Sequence, residues 1–424
     1  MNIDGLEWRE NWRVENGPDS FVVPFPRLRS AQLVFHGTSE FSYNQYGVHL
    51  GQDDVLTFLG KSTQTISGHF IDCRQGSPTF GQRDDIEFTP SSGRSLVIPR
   101  GVGHDFTGLE NVFTLNTYEL YLPAPDDWAS SDWKPRGDVI NVPSDVTPEK
   151  LPSFVPNPLP AGDRWYQLVA LQQAVMIPLL SHEYPITKDI SFEDGTESRV
   201  ALLKRTDAEK REPFEPIDGI DGLGWVNLPF VSSGLESGFV PLLEPYPLYF
   251  IDHGETSYTH DAFGIHLGQE DHLLFAGPLD QVVTVEFMDT RSSSPTHGAR
   301  FTYEFTPDAT RYLKIPAGVG HALSNLENVF TINRAAVFLP EKAQENYLPG
   351  NDVIDWPRSS SEVPTLQEHV IKAPADFYVR QVSDQARLQA SPPMHATPAV
   401  MLIDGPDGRK VRVALRKRVG SSAE

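Results

Sequence analysis

The chain has 424 residues, and its 39% hydrophobic and 22% charged content is ordinary for a soluble globular protein. A formal net charge of −22 argues against nucleic-acid binding, because such proteins need a basic face to neutralise phosphates. The single cysteine, Cys73, excludes an internal disulfide. With neither a signal-peptide pattern nor a long apolar run, the sequence predicts a cytoplasmic protein without a membrane span.

The predicted elements are short β-strands, because apolar or alternating runs are repeatedly interrupted by the 36 prolines and 32 glycines. A proline-rich stretch, 141–161, predicts an extended loop, and 167–180 fits either a strand or a short helix. Each half closes on an alternating run that predicts a strand. The predicted strands cover residues 55–59, 65–71, 95–98, 112–122, 198–205, 281–287 and 410–417. This pattern is typical of an all-β sandwich or barrel.

The sequence repeats itself. The segment Ile-Pro-x-Gly-Val-Gly-His occurs at 98–104 and again at 315–321. Further copies, at the same spacing, pair 47–54 with 264–271. The match predicts a duplication and therefore two domains of similar fold. A charged, proline-bearing stretch around 206–216 reads as a linker, and we place the domains at 1–208 and 209–424.

The repeated segment has the spacing of a known turn. Gly93, Pro99, Gly101 and His104 are spaced as in the second cupin motif, in which a strand, a tight turn and a return strand follow one another. The second half keeps the corresponding proline and glycine and ends on His321. In a jelly-roll barrel, both histidines would point into the cavity.

Together with Asp72-x-Arg74, 77–81 and Gly47-Val48-His49, this segment resembles the dTDP-4-dehydrorhamnose 3,5-epimerase family of cupins (RmlC-like). The resemblance implies an all-β chain with two RmlC-like cupin jelly-roll barrels in tandem, a bicupin. It also implies an internal pseudo-dimer of the two halves and leaves further homo-oligomerisation open. In the family, the pocket epimerises carbons beside a sugar ketone through enolate intermediates.

The resemblance also implies site residues. His49 and His266 match the family's catalytic base, and Arg74, Arg291, His104 and His321 are predicted to bind substrate. Two alternatives stay open: the histidines are structural, and the Asp-x-Arg pairs are ion pairs inside the barrels. Other family positions differ, since the preceding arginine, the oxyanion lysine and the proton-donating tyrosine align with residues that cannot replace them. These are Tyr46 and Phe263, Thr57 and Leu274, and Leu115 and Ile332; Glu362 is a loose match to the family's dyad carboxylate.

The leading functional hypothesis is a cofactor-independent epimerase or isomerase that acts on a sugar or a small oxygenated metabolite. It predicts a small-molecule partner, with no nucleic acid, membrane, cofactor or metal. One alternative is a catalytically degenerate cupin that binds a small molecule or serves as a structural partner. A second alternative is a nonstandard metal-dependent bicupin oxygenase, because the second half adds His253, His260 and His272 as candidate ligands.

Overall fold

A computed structural model of the chain describes residues 1–17, 20–25, 27–38, 45–124, 139–163, 165–166, 169, 185–191, 197–203, 213–228, 230–234, 237–244, 246–256, 259–341, 353–390, 400–404 and 410–414. The chain folds into two compact units. Unit 1 comprises Met1–Asn11, Arg29–Arg211 and Pro229–Leu243, and unit 2 comprises Trp12–Leu28, Glu212–Leu228 and Glu244–Glu424. The predicted boundary at 208/209 lies outside the described residues.

The described residues of the first half form sixteen strands, each short, as the frequent turn residues predict. In chain order they are β1 (Glu7–Glu10), β2 (Val14–Gly17), β3 (Ser20–Phe25), β4 (Ala31–Phe35), β5 (Gln45–Val48), β6 (Gln52–Leu59), β7 (Ile66–Asp72), β8 (Arg83–Phe88), β9 (Arg94–Ile98), β10 (Val102–Thr107), β11 (Phe113–Asn116), β12 (Glu119–Leu122), β13 (Ile140–Pro143), β14 (Leu159–Pro160), β15 (Pro185–Ser191) and β16 (Glu197–Leu203).

The described residues of the second half repeat this order and include a helix near its end. Its strands are β17 (Phe214–Pro216), β18 (Gly224–Asn227), β19 (Val231–Gly234), β20 (Ser237–Leu242), β21 (Leu248–Asp252), β22 (Ala262–His266), β23 (Gln269–Ala276), β24 (Val283–Asp289), β25 (Arg300–Phe305), β26 (Arg311–Ile315), β27 (Val319–Ser324), β28 (Phe330–Asn333), β29 (Ala336–Leu339), β30 (Val353–Pro357), β31 (Ile371–Lys372), β32 (Val400–Asp404) and β33 (Lys410–Ala414). Helix α1 spans Ala375–Ala390.

Two antiparallel sheets make the body of unit 1. One runs β1-β9-β6-β11-β4-β20-β19, and the other runs β13-β5-β10-β7-β8. Unit 2 repeats the arrangement, with β17-β18-β26-β23-β28-β21-β3-β2 facing β25-β24-β27-β22-β30. This is the jelly-roll pairing of two sheets, so the predicted all-β fold with two tandem barrels is confirmed.

One hairpin in each unit comes from the other half of the sequence. In unit 1, β20 extends the sheet by pairing with β4, from Gly238 opposite Phe35 to Leu242 opposite Ala31. In unit 2, β3 pairs with β21 in the same way, from Leu248 opposite Phe25 to Asp252 opposite Phe21. Each large sheet is therefore completed by strands that a division at residue 208 would remove.

The core of each unit lies between its two sheets. In unit 1 the rings of Phe58, Phe88 and Phe106 pack edge to face, with centroids 4.9 to 6.5 Å apart. Side chains from both sheets surround them, including Leu96 of β9 and Phe70 of β7. Unit 2 has the equivalent cluster around Phe275 and Phe305. Strand β24 buries alternate residues at its start, Val283, Val285 and Phe287, as period-two patterning predicts, whereas β6 is buried on both faces along most of its length.

Three segments refine the sequence-based expectations. The predicted loop at 141–161 contains β14, most of β13 and a short 3-10 turn at Pro148–Lys150. Helix α1 was not predicted, and most of 167–180 lies outside the described residues. Among the described residues, none of the helices combines the length and apolarity that a membrane span requires.

Candidate active site

A tight turn brings the first histidine pair together. Gly101 has φ +84°, and a Cβ atom there would lie 2.5 Å from Cγ of Arg74, so glycine is required on two grounds. The Gly101 amide donates to the carbonyl of His49 at 2.6 Å. The strand that leaves this turn, β10, carries His104 opposite Gly47 of β5. The repeated Pro-x-Gly segment therefore holds the ends of β5 and β10 together, and with them the two imidazoles.

His49 and His104 share a buried carboxylate that the sequence analysis did not select. Asp54 lies on β6 and is 3% exposed. Its Oδ2 atom is 3.6 Å from Nε2 of His49 and 3.4 Å from Nε2 of His104. The two rings are roughly parallel, with centroids 5.9 Å apart. One carboxylate oxygen thus faces two ring nitrogens.

The other oxygen of Asp54 is held by two amides. Gln52 Nε2 donates to Oδ1 at 2.6 Å and Asn116 Nδ2 donates to it at 2.8 Å. The Asn116 amide has a fixed orientation, because its own oxygen accepts the Val55 backbone N–H at 3.1 Å. The two donors occupy Oδ1 and leave Oδ2 for the histidines.

The charges of this cluster follow from burial and pairing. Burial alone would raise the pKa of Asp54, but the attraction of His49 and His104 and the two amide hydrogen bonds together lower it. Burial lowers the pKa of His104, although the Asp54 charge opposes this shift. Asp54 is therefore a carboxylate near neutral pH, and it is positioned to stabilise a proton that arrives on either ring.

The cluster opens into a cavity of about 300 Å³ in unit 1. Exposed residues, namely Gln45, Val139 and Asn141, mark its mouth. Its wall combines polar groups with apolar ones such as Leu56 and Phe58. A cavity that mixes apolar walls with a few convergent polar groups is the usual form of a small-molecule site.

Unit 2 repeats the cluster atom by atom. Asp271 Oδ2 lies 3.8 Å from Nε2 of His266 and 3.7 Å from Nε2 of His321, and the ring centroids are 5.9 Å apart. Gln269 and Asn333 donate to Oδ1 of Asp271 at 2.6 and 2.8 Å. The turn is also the same, with Gly318 at φ +81° and its amide bonded to the His266 carbonyl at 2.7 Å.

The predicted arginines lie in a different environment. Arg74 binds Asp72 through Nε and Nη2, at 2.8 and 2.7 Å, and also donates to the Asp4 carbonyl. Arg291 makes the equivalent bonds to Asp289. Arg74 is absent from the described lining of the unit 1 cavity. The alternative interpretation of the Asp-x-Arg segments, buried ion pairs, describes what the structure shows, and substrate binding by these arginines stays a prediction without geometric support.

Thr57 and Leu115, which align with the family's oxyanion lysine and proton-donating tyrosine, face away from the unit 1 cavity. On β6 the lining side chains alternate through Gln52, Asp54, Leu56 and Phe58, so Thr57 points to the other face, where it bonds Ser95. Leu115 is likewise the fully buried residue between the lining residues Thr114 and Asn116. In unit 2, Glu362 is exposed.

The residues missed in the sequence carry a signal that was visible there. Gln52 and Asp54 come just before the predicted strand at 55–59, and Asn116 lies within the one at 112–122. All three recur in the second half as Gln269, Asp271 and Asn333. A polar side chain on the inner face of a strand is costly unless it has a partner, so its repetition points to a shared polar network.

The three ligand-type atoms of each cluster are also close enough to hold a metal ion. In His49/Asp54/His104, and again in His266/Asp271/His321, one atom from each residue lies within 4.8 Å of the other two. Imidazole and carboxylate are donors that suit divalent transition metals. The fit is therefore good, and the outer amides would orient the carboxylate as the supporting residues of metal sites do.

Comparisons with known proteins agree with the resemblance. The family model of dTDP-4-dehydrorhamnose 3,5-epimerase matches residues 57–132. No curated protein matches the sequence. Among solved structures, a 3'-monoepimerase from Streptomyces bikiniensis, solved as a variant with dTDP, is 16% identical over 37% of this chain and 91% of its own, with a TM-score of 0.22.

Two further solved structures have similar sequence identities and TM-scores. A dTDP-4-dehydrorhamnose 3,5-epimerase from Bacillus anthracis is 16% identical over 38% of this chain and 90% of its own, with a TM-score of 0.21. Oxalate decarboxylase from Bacillus subtilis is 13% identical over 77% and 74%, with a TM-score of 0.23. The family match, the repeated motifs and the two jelly rolls show a tandem cupin that resembles the dTDP-4-dehydrorhamnose 3,5-epimerases.

Proposed function

We propose that the chain is a cofactor-independent isomerase or epimerase that moves a proton at a carbon beside a carbonyl group. The observation that carries the proposal is a buried carboxylate shared by two imidazoles, which is present in both units and lines a cavity in unit 1. The match of residues 57–132 to an epimerase family supports the same reaction class.

The cluster has the parts that such a proton transfer needs. A base must reach the C–H bond with a pKa near the working pH, and a neighbouring anion must stabilise the base once it is protonated. His49 Nε2 would accept the proton from carbon, and the electrons of the C–H bond would move to the carbonyl oxygen. Asp54 would stabilise the imidazolium. In an isomerisation the proton would then pass to the neighbouring carbon, and in an epimerisation a proton from water would reach the opposite face of the same carbon. The side-chain amides of Gln45 and Asn141 line the same cavity and could donate to the enolate oxygen.

His49→Gln and His266→Gln, made together, test this role. We expect the double variant to lose about 10²-fold or more of the rate at which solvent deuterium enters the substrate, because general-base catalysis contributes about 10² to 10⁴. His69→Gln is the control, since His69 is a partly exposed histidine of unit 1 paired with Asp85 at 2.8 Å. Full exchange activity in the double variant would contradict the proposal.

A second candidate function, a metal-dependent enzyme, is favoured by one specific observation. Asp54 Oδ2 lies 3.6 Å from Nε2 of His49 and 3.4 Å from Nε2 of His104. Two ligand atoms that each lie about 2.1 Å from one ion are roughly 3.0 to 3.4 Å apart, so these distances are close to those of a metal site. A bound divalent ion would polarise a substrate carbonyl. His49, Asp54 and His104 would hold the ion, and the amides of Gln52 and Asn116 would keep the Asp54 carboxylate directed at it.

Elemental analysis separates the two candidates. Purified protein loaded with Mn²⁺, Fe²⁺, Co²⁺, Ni²⁺ or Zn²⁺ in turn would hold about two ions per chain if both clusters bind metal, and Asp54→Asn would lose one of them. Proton transfer by His49 alone predicts that chelator-treated protein exchanges deuterium at the original rate. Activity that disappears with chelation and returns with one metal would favour the second candidate.

A further inference from the structure

The unit 1 cavity has more hydrogen-bonding amides than its carboxylate requires. Gln52 and Asn116 bind Asp54, but Gln32, Gln45 and Asn141 also line the cavity. An amide group offers both donors and an acceptor, which is what a hydroxyl group of a ligand matches. The second set of amides is therefore suited to a ligand with several hydroxyl groups.

The ionisable groups of this lining do not suit an anion. They are Asp54, Asp105 and the histidines at 36, 49 and 104, and the described lining residues include neither lysine nor arginine. Burial lowers the pKa of His36 to about 4, so this histidine is neutral at physiological pH. Arg74, the cation expected to meet the substrate, is bound to Asp72 instead. A diphosphate would meet negative charge here with no cation among these residues to offset it.

The volume of the cavity and the apolar part of its wall restrict the class of ligand further. A volume of about 300 Å³ is at the small end of the roughly 300 to 1,000 Å³ range of ligand sites. Val34, Leu56, Phe58, Phe106 and Leu109 add apolar surface to the wall. A single sugar ring, with hydroxyl groups on its edge and C–H groups on its faces, has the matching size and the matching mixture of surfaces.

We propose that the unit 1 cavity binds a neutral monosaccharide-sized polyhydroxy ketone or aldehyde, and not a nucleotide-linked sugar. This inference rests on the proposed function for the reaction at the bound carbonyl. It concerns the ligand class, and its recognition would come from the amides of Gln32, Gln45 and Asn141.

Unit 2 supplies the substitutions that test the amides. By the internal repeat, Tyr249, Ala262 and Asp355 occupy the places of Gln32, Gln45 and Asn141. Tyr249 accepts hydrogen bonds from Gln381 and Gln385 of α1 through its hydroxyl. Gln45→Ala and Asn141→Asp therefore place in unit 1 residues that a closely similar barrel accommodates, so we expect both variants to fold.

The experiment measures binding to the full chain by ligand-observed NMR and titration calorimetry. The probes are D-fructose, D-tagatose and L-rhamnulose as neutral sugars, and dTDP as the anionic nucleotide. We expect at least one neutral sugar to bind and dTDP not to bind. Gln45→Ala and Asn141→Asp should each weaken sugar binding about 3- to 10-fold, the usual effect of one hydrogen bond. Gln82→Ala, an exposed amide elsewhere in unit 1, should leave binding unchanged.

Two results would overturn the inference: dTDP binding that perturbs the resonances of His49 and His104, or sugar binding that is unaffected by both cavity variants. The outcome for the proposed function is separate. A neutral sugar that binds without exchanging deuterium would support the ligand class and contradict the proton transfer. Exchange seen only with a nucleotide-linked sugar would support the proton transfer and contradict the ligand class.

Discussion

At the scale of single residues, Asp54 and Asp271 divide their two oxygens between different tasks. In each, Oδ1 accepts two amide hydrogen bonds and Oδ2 faces two imidazole nitrogens. Buried carboxylates are tolerated when their lone pairs are satisfied, and the amides supply this without adding charge. The orientation of Oδ2 thus depends on Gln52 and Asn116 in unit 1.

Asn116→Leu tests this dependence. The change removes one donor to Asp54 and the acceptor of the Val55 N–H, and we expect it to cost about 1 to 3 kcal/mol in the free energy of unfolding. It should also raise the pKa of Asp54, because one of the bonds that lower it is lost. NMR titration of the Asp54 carboxyl carbon and chemical denaturation measure the two effects.

Asn333→Leu is the matched control, since it makes the same change at the other cluster. It should leave the titration of Asp54 unaltered. A purely packing role for Asn116 would reduce stability without moving the Asp54 titration, and that result would contradict a positioning role.

Two of the three residues of each cluster could be predicted from the sequence. His49, His104 and their counterparts were predictable, because the turn that positions them has a recognisable proline and glycine spacing. Asp54 was not predicted, because the family resemblance points to a carboxylate elsewhere in the chain, with Glu362 as its loose match. Substrate binding by the arginines stays a prediction, and the sequence alone does not show that Asp72 binds the Arg74 guanidinium through two of its nitrogens.

At the scale of elements, unit 2 contains a charged cluster built around a third histidine. His272 of β23 lies between Glu244 and Glu270, at 2.9 and 3.1 Å, and stacks on Tyr312 of β26. Lys314 approaches Glu270 at 3.3 Å. Burial alone would lower the pKa of His272, but the two carboxylates outweigh it and raise the pKa to about 9.

This cluster predicts a pH dependence of stability. Because the folded-state pKa of His272 is above its unfolded value near 6.5, its contribution is fully present below that value and is lost as pH rises through about 9. His272→Gln should therefore lose on the order of 3 kcal/mol near pH 6 and much less at pH 10. Denaturation at several pH values measures it.

The control for this series is His297→Gln, which changes an exposed histidine of unit 2. It should show no such trend. A stability difference between wild type and His272→Gln that stays constant from pH 6 to pH 10 would contradict the ion-pair account. The sequence could not predict the cluster, since Glu244 and His272 are brought together only by the fold.

At the scale of the whole molecule, the duplication predicts two barrels. It does not predict which segments of the chain form each barrel. The repeat shows that each half has its own strands. It does not show that β20 pairs with β4 or β3 with β21, because strand partners leave no local pattern in the sequence.

Separate expression of 1–208 and 209–424 tests the exchange of hairpins. The first fragment keeps β4 but lacks β20, and the second keeps β21 but lacks β3. We expect each fragment alone to be insoluble or to aggregate, because an unpaired apolar edge strand promotes association. Co-expression should restore soluble material. A first fragment that is monomeric and as stable as the full chain would contradict the exchange.

Deuterium incorporation from D₂O into neutral ketohexoses, followed by ¹H NMR, tests the proposed proton transfer by the shared carboxylate and its two histidines. The measurement uses chelator-treated protein and the Asp54→Asn/Asp271→Asn double variant. We expect exchange by the chelator-treated wild type and a loss of about 10²-fold or more in the variant. Equal exchange rates in the wild type and the variant would contradict it.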